Sequence, residues 1–381
     1  MALGDHVVLD SRGIKHVPTQ QKPLSEVKMK HSEIPEIIRV ELTNTCNLAC
    51  PHCRHHSAEK RKPENYAEYY KTPINMTEEQ VADIFKEVAP YKPSVTLNVA
   101  NEPLIAKTFP FAVRKVKEHG LAGTFNTNGL TLNGEIVKLL VDVQYDSVNV
   151  SIDALTPETL KKARGITRLD KLIGNVEEMI KVRGSRPFPR IGVTFVITDY
   201  NHHELPGFLE FWKQRVDVIR VTGYIKDLRP DIAVIPGFKR EDLPERVPCK
   251  QLFRDIVIRA NGDVTPCVIT AERPEVIVGN IFRDGGVREV WNGEGLDRLR
   301  ELHNSGRWDE IDFCGPCDYW VETFDMKEEV RDGFLIRTPS PYTTFYNVLD
   351  KMKNWNKDLH DRQGVQKGIM AFEKVSNSSD T

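Results

Sequence analysis

Between residues 37 and 222 the chain repeats one pattern: a strand-sized run, then a stretch with apolar residues three to four positions apart. Six such runs, at 37–42, 95–99, 123–126, 147–152, 191–197 and 218–222, read as strands, several of them rich in Val and Ile. The clearest helix follows Thr77. Gln80, three residues on, completes a capping box, and Val81, Ile84, Phe85 and Val88 share one face. Further helices are expected near 111–119, 134–143 and 204–215, and after Thr156-Pro157, a cap followed by a first-turn proline. Six strand–helix units with right-handed crossovers predict an α/β fold, a partial (β/α)6 barrel. In such a barrel the loops that follow the strands form the active face.

The pattern also divides the chain. Residues 1–36 are expected to be an N-terminal extension, 37–225 the barrel, and 226–248 a linker rich in Pro, Asp and Arg. A small module over 249–325 carries a hairpin signal at Ala260-Asn261-Gly262-Asp263 and a helix near 294–303. Residues 326–381 read as a C-terminal helical tail that frays into a polar end.

Composition narrows the function classes. A net charge of −2 with 28% charged residues provides no basic footprint for nucleic acid. No apolar run has the length of a membrane span, and the first residues lack the basic and apolar regions of a signal peptide. A cytoplasmic location is therefore expected. The seven cysteines fall into two groups, 46/50/53 and 249/267/314/317, which suits metal or cluster ligation better than a disulfide framework.

Cys46, Cys50 and Cys53 have the spacing C-x3-C-x2-C directly after the first strand, hence on the active face. Three thiolates on one short loop can hold three corners of a cubane iron–sulfur cluster and leave the fourth iron open for chemistry. The same loop can also hold zinc, with His52, His55 or His56 as the fourth ligand. Cys249 and Cys267 frame Gly262 in the arrangement C-x12-G-x4-C, and Cys314-Gly315-Pro316-Cys317 follows. A four-cysteine zinc ribbon is the alternative there.

Taken together, the motifs resemble the radical S-adenosylmethionine superfamily, in its Twitch/SPASM-type subgroup, over roughly residues 37–325. The three-cysteine loop resembles that superfamily's cofactor loop. Asn98-Val99-Ala100-Asn101-Glu102-Pro103 resembles its Gly-Gly-Glu-Pro motif, with Ala100 and Asn101 in place of the glycines. The second cysteine group, with Gly279-Asn280-Ile281 and Glu289-Val290-Trp291-Asn292, resembles the auxiliary-cluster module.

The resemblance implies two [4Fe-4S] clusters, one on Cys46, Cys50 and Cys53 and one on Cys249, Cys267, Cys314 and Cys317, with S-adenosyl-L-methionine on the open iron. It implies that Glu102 and Asn101 hold the cofactor's amino group, Ser151 and Arg164 its carboxylate or ribose, and that His52 and Asn128 face the same cavity near adenine. No substrate-acting catalytic residue is assigned. The layout is similar to the 2-deoxy-scyllo-inosamine dehydrogenase type. The implied activity is a 5'-deoxyadenosyl radical that abstracts hydrogen from a small polar substrate, oxidising a secondary alcohol of a sugar or aminocyclitol to a ketone. One electron would pass to the auxiliary cluster, and an external donor such as flavodoxin or ferredoxin would supply the reductant.

Three alternatives stand beside it. A radical epimerase needs a hydrogen donor, and with every cysteine assigned a tyrosine such as Tyr224 would have to serve. A peptide-modifying maturase is the second. The third is a zinc-stabilised, non-catalytic binding protein.

Overall fold

The computed structural model describes residues 8–9, 15–16, 28–223, 245–271, 273, 276–323, 327–340 and 343–352. Most of the expected linker (226–244), Tyr224, much of the N-terminal extension and the tail beyond 352 lie outside the described residues. Val8–Leu9 and Lys15–His16 pair antiparallel.

The six expected strands are present as β1 (Ile37–Val40), β2 (Ser94–Thr96), β3 (Ala122–Thr127), β4 (Ser147–Ser151), β5 (Arg190–Ile197) and β6 (Val218–Gly223). Each pairs parallel with the next. Between them lie α1 (Glu78–Val88), α2 (Phe109–Glu118), α3 (Gly134–Asp142), α4 (Pro157–Arg164), α5 (Leu169–Arg183) and α6 (Leu205–Lys213). The Thr77–Gln80 capping box forms as its spacing predicts, and Val81, Ile84, Phe85 and Val88 are buried. They join Val95, Val148, Val150, Ile191, Val193 and Ile219 in one continuous core. Burial alternates along β1, β3, β4 and β6, so one face of each packs into this core while the other is only half-buried.

The sheet does not close. Its order is β9-β8-β7-β1-β2-β3-β4-β5-β6-β12-β11-β10, where β7 is Asp255–Ile258, β8 Asp263–Thr265 and β9 Gly279–Asn280. The remaining three are β10 (Lys327–Arg331), β11 (Phe334–Ser340) and β12 (Thr343–Val348). The second cysteine module thus adds to the barrel sheet. Strand β7 pairs parallel with β1, and the expected hairpin turns antiparallel into β8. Beyond β9, α7 (Val287–Trp291) and α8 (Glu294–Asn304) cover this end. Residues 29–32 strap them: Asn304 exchanges two hydrogen bonds of 2.9 Å with the Met29 backbone, and Trp291 Nε1 donates to the Ser32 carbonyl at 2.8 Å.

The helical tail expected over 326–381 is corrected where the structure describes it, up to residue 352. Residues 327–340 and 343–348 carry strands β10–β12, with β12 antiparallel to β6, and among the described residues of the tail only Leu349–Met352 is helical. Arg331 pairs with Phe334 across a two-residue turn in which Asp332 and Gly333 both have positive φ, at 52° and 77°. Asp-Gly is a strong signal for a tight hairpin, because both central residues must adopt the left-handed region. Helix α5 was also absent from the expected set, although Leu169, Leu172, Val176 and Met179 are spaced for it and are buried. Among the described residues no helix is long and apolar enough to cross a membrane.

Candidate functional site

Loop 41–57 leaves β1 on the face where the parallel strands end. Asn44 pins it, donating to the Tyr69 carbonyl at 2.5 Å and accepting the Ile74 N–H at 2.8 Å. One guanidinium nitrogen of Arg61 donates to the carbonyls of Cys46 and Leu48, each at 2.8 Å. The Glu102 N–H reaches the Thr45 carbonyl at 3.0 Å, which ties the loop to the end of β2. These contacts fix three cysteines close enough that their thiols act on one another. Burial pushes the Cys46 thiol up to about 12, and Cys50 and Cys53 add to the rise. The His56 N–H points at Cys53 Sγ at 3.2 Å.

The structure brings most of the expected site residues to this loop. Arg164, buried at the end of α4, places Nη1 3.7 Å from Cys50 Sγ and Nη2 2.7 Å from Asp153 Oδ2. Burial opposes its charge, but the Asp153 carboxylate and the Cys50 sulfur outweigh that and raise its pKa. Asp153 is fully buried with φ at 65°, and its Oδ1 accepts the Val196 N–H at 2.7 Å. A non-glycine residue in that backbone region, locked by its side chain, is strain held at a site. His52 Nε2 lies 3.9 Å from Asp153 Oδ2.

Glu102 is buried between strand ends. Oε1 accepts from the Thr127 hydroxyl at 2.7 Å and the Leu104 N–H at 3.1 Å, and Oε2 accepts the Asn128 N–H at 2.7 Å. Three of about four acceptor positions are filled, which leaves one for an ammonium. Asn128 also donates to Asn47 Oδ1 at 2.7 Å, within the cysteine loop. Asn101 Oδ1 accepts the Val99 N–H at 3.0 Å, and its Nδ2 is buried with no partner among the described residues. Ser151 ends β4, half-buried, opposite Thr194 in the ladder.

The second group converges on a pocket lined by Cys249, Cys267, Cys314 and Cys317 with Arg246, His303, Tyr319 and Trp320. Burial raises all four thiols, Cys317 to about 11, and repulsion from neighbouring sulfurs adds to the rise at Cys249, Cys314 and Cys317. A cationic cluster that takes them as thiolates relieves that cost. Donors already face the sulfurs: the Tyr319 N–H reaches Cys317 Sγ at 3.3 Å and His303 Nε2 reaches Cys314 Sγ at 3.3 Å. Among the described residues no three His, Cys, Asp or Glu side chains converge closely enough to hold a single ion. Four sulfurs around one pocket, too widely spread for any three of these groups to share a single ion, suit a multi-atom cluster better than zinc. The residues present therefore fit both expected clusters.

The two groups are neighbours. Tyr70 is hydrogen-bonded to His55 Nδ1 at 3.2 Å and donates to the Ala271 carbonyl at 3.4 Å, and the Arg54 charge acts on the Cys267 thiol.

Sequence reading did not single out Arg61, Glu41, Arg246 or His303, whose partners are distant in the chain. The Asp153 carboxylate had a signal, its place at the end of β4, but only packing shows that it aims Arg164. Glu41 is 1% exposed. Tyr69 donates to its Oε2 at 2.5 Å, and the Ala260 N–H reaches the Tyr69 hydroxyl at 2.9 Å, which joins β1 to the second module. Burial pushes the Glu41 carboxyl up from 4.5 to about 7.

The folded protein therefore keeps a proton that the unfolded chain loses above 4.5, so stability falls as pH rises from about 4.5 to about 7 and then levels. The displacement corresponds to about 3 kcal/mol. Glu41→Gln is expected to flatten this slope and to be the more stable form at pH 8. Denaturant melts at pH 5 and pH 8 measure it, and an unaltered slope in the variant would assign the effect to other groups.

Comparisons with known proteins bear on the family and the fold. The model of the Radical SAM superfamily matches residues 40–212, and that of the SPASM iron–sulfur cluster-binding domain matches residues 249–318. Mycofactocin maturase MftC of Mycobacterium tuberculosis is 23% identical over 322 residues, covering 76% of this chain and 77% of the relative. Among solved structures, Streptococcus suis SuiB bound to precursor peptide SuiA superposes with a TM-score of 0.54 at 14% identity, over 70% of this chain and 66% of that one. BtrN in complex with AdoMet and 2-DOIA superposes with a TM-score of 0.50 at 15% identity, over 76% of this chain and 94% of that one. At these identities the two structures bear on the fold alone.

Proposed function

Since the chain belongs to the radical SAM superfamily and carries a SPASM iron–sulfur module, we propose that it is a maturase that modifies a peptide by hydrogen-atom abstraction. The observation that carries this reading is the match to the mycofactocin maturase, whose 322 aligned residues are too many to lie within the barrel alone. When bound, the open cluster with S-adenosylmethionine supplies hydrogen-atom abstraction, and the auxiliary cluster supplies a one-electron site.

In this reading Cys46, Cys50 and Cys53 hold the open cluster, and Cys249, Cys267, Cys314 and Cys317 the closed one. Asp153 keeps Arg164 charged and aimed, so that its fork can meet the cofactor's carboxylate together with Ser151. Glu102, with one acceptor position left, takes the amino group beside the unpartnered Asn101 amide. His52 and Asn128 flank the adenine side. Arg61 and Asn44 hold the loop rigid, which preserves these positions between turnovers. An external donor such as flavodoxin or ferredoxin delivers the reducing electron.

A second reading, oxidation of a secondary alcohol on a sugar or aminocyclitol, rests on the layout of one three-cysteine and one four-cysteine centre, which resembles the 2-deoxy-scyllo-inosamine dehydrogenase type. One experiment separates the two. Anaerobically reconstituted protein is incubated with S-adenosylmethionine, reductant, and either short peptides encoded beside its gene or a panel of aminocyclitols. A peptide mass change with matching 5'-deoxyadenosine is the expected result. A ketone from a cyclitol, with every peptide unmodified, would replace the first reading by the second.

A further inference from the structure

We propose that His303 is a positioning residue for the auxiliary centre, whose Nε2–H donates to Cys314 Sγ and thereby sets that centre's reduction potential. The proposal rests on the reading that Cys249, Cys267, Cys314 and Cys317 hold an iron–sulfur cluster.

His303 lies near the end of α8 and is 1% exposed. Its ring bridges two of the four cysteines. The Cys249 backbone N–H donates to Nδ1 at 3.2 Å, and Nε2 lies 3.3 Å from Cys314 Sγ. This pair of contacts determines the tautomer. A backbone N–H can only donate, so Nδ1 must accept with its lone pair, and the ring proton resides on Nε2, facing the sulfur. A doubly protonated ring would set two N–H groups against each other at Nδ1.

Aromatic packing holds the ring in that attitude. The imidazole packs against Trp308, with ring centroids 6.3 Å apart. The Arg246 guanidinium lies 5.0 Å from the Trp308 ring and 5.9 Å from the Trp320 ring, and donates to the Cys314 carbonyl at 2.6 Å and the Gly315 carbonyl at 2.9 Å. Cys317 takes its donor from the Tyr319 backbone, which a substitution cannot remove, whereas Cys314 takes its donor from a side chain. A hydrogen bond to a cluster sulfur withdraws electron density and favours the reduced cluster by one electron, the more so in a dry site. The fold thus provides an adjustable donor at the centre that must accept an electron in the proposed reaction.

The test uses the full chain with Cys46, Cys50 and Cys53 replaced by alanine, so that redox titration followed by electron paramagnetic resonance reports the auxiliary centre alone. His303→Leu removes the donor. At a fixed applied potential its ratio of reduced to oxidised cluster is expected to fall about tenfold, equal to about 59 mV for a one-electron couple. His303→Gln keeps an N–H donor and is expected to restore most of that ratio. Iron counts and circular dichroism accompany each sample. A folded Leu variant with about four irons that titrates like its parent overturns the proposal, as does a Leu variant that cannot hold iron while the parent does, since His303 would then be a ligand or a strut. A parent with intact His303 that binds zinc instead of iron overturns the cluster reading itself, a failure visible before His303 is altered.

Discussion

Replacing Cys46, Cys50 and Cys53 together with alanine is expected to remove about four of about eight irons and to abolish formation of 5'-deoxyadenosine. The loop should survive the change, because its anchors do not depend on the thiols. Asn44 holds it to residues 69–74, Arg61 holds the Cys46 and Leu48 carbonyls, and the Glu102 N–H holds the Thr45 carbonyl. The loss is therefore a loss of one cluster rather than of the fold. Iron quantitation, circular dichroism and chromatography of the nucleoside product measure it on one sample. Continued cleavage of S-adenosylmethionine by the triple variant would place the radical centre elsewhere and undo the assignment of this loop.

The paired variant Cys314→Ala/Cys317→Ala is expected to show the complementary result. About four irons remain, S-adenosylmethionine is still cleaved, and substrate product falls to background. Cleavage persists because Cys46, Cys50, Cys53, Arg164, Asp153 and Glu102 all sit on the barrel's own loops and α4. Product is lost because the substrate radical has no electron acceptor. The competing outcome is unfolding, since ligand sites contribute folding energy to small modules. Here the module has other support. Strand β7 pairs with β1, while Val287, Trp291, Ile281 and Leu296 belong to the main apolar core. A folded variant with about four irons and wild-type product yield would show that the auxiliary centre takes no electron from substrate.

The two variants together exploit the adjacency of the centres. Tyr70 spans from His55, two residues past Cys53, to the Ala271 carbonyl, four residues past Cys267. Substitution at one centre is then best read with iron counts at the other.

Local pattern was enough for the barrel. Strands that alternate or run in Val and Ile stand out, helix α1 announces itself through Thr77 and Gln80, and the Ala260–Asp263 turn marks its hairpin, because periodicity and turn chemistry are properties of neighbouring residues. The cysteine spacings likewise grouped the residues that the two proposed clusters would use. Strands β10–β12 were legible in principle through Asp332-Gly333, but the helical reading of the tail passed over that turn. Other features had no local signature. That β7 would join β1, and β12 would join β6, depends on which sheet edges are left open once the six barrel strands pair.

The fine structure of the site was of the same kind. Arg164 and Cys50 are 114 residues apart, Tyr69 and Ala260 191 residues apart, and His303 and Cys249 54 residues apart. Which thiol meets which donor, and which carboxylate is left protonated in the core, follow from burial and from the order of strands. Residue spacing could name the candidate ligands of each centre. Only the folded sheet could decide what stands behind them, because desolvation and hydrogen-bond partners exist only once distant segments are packed together.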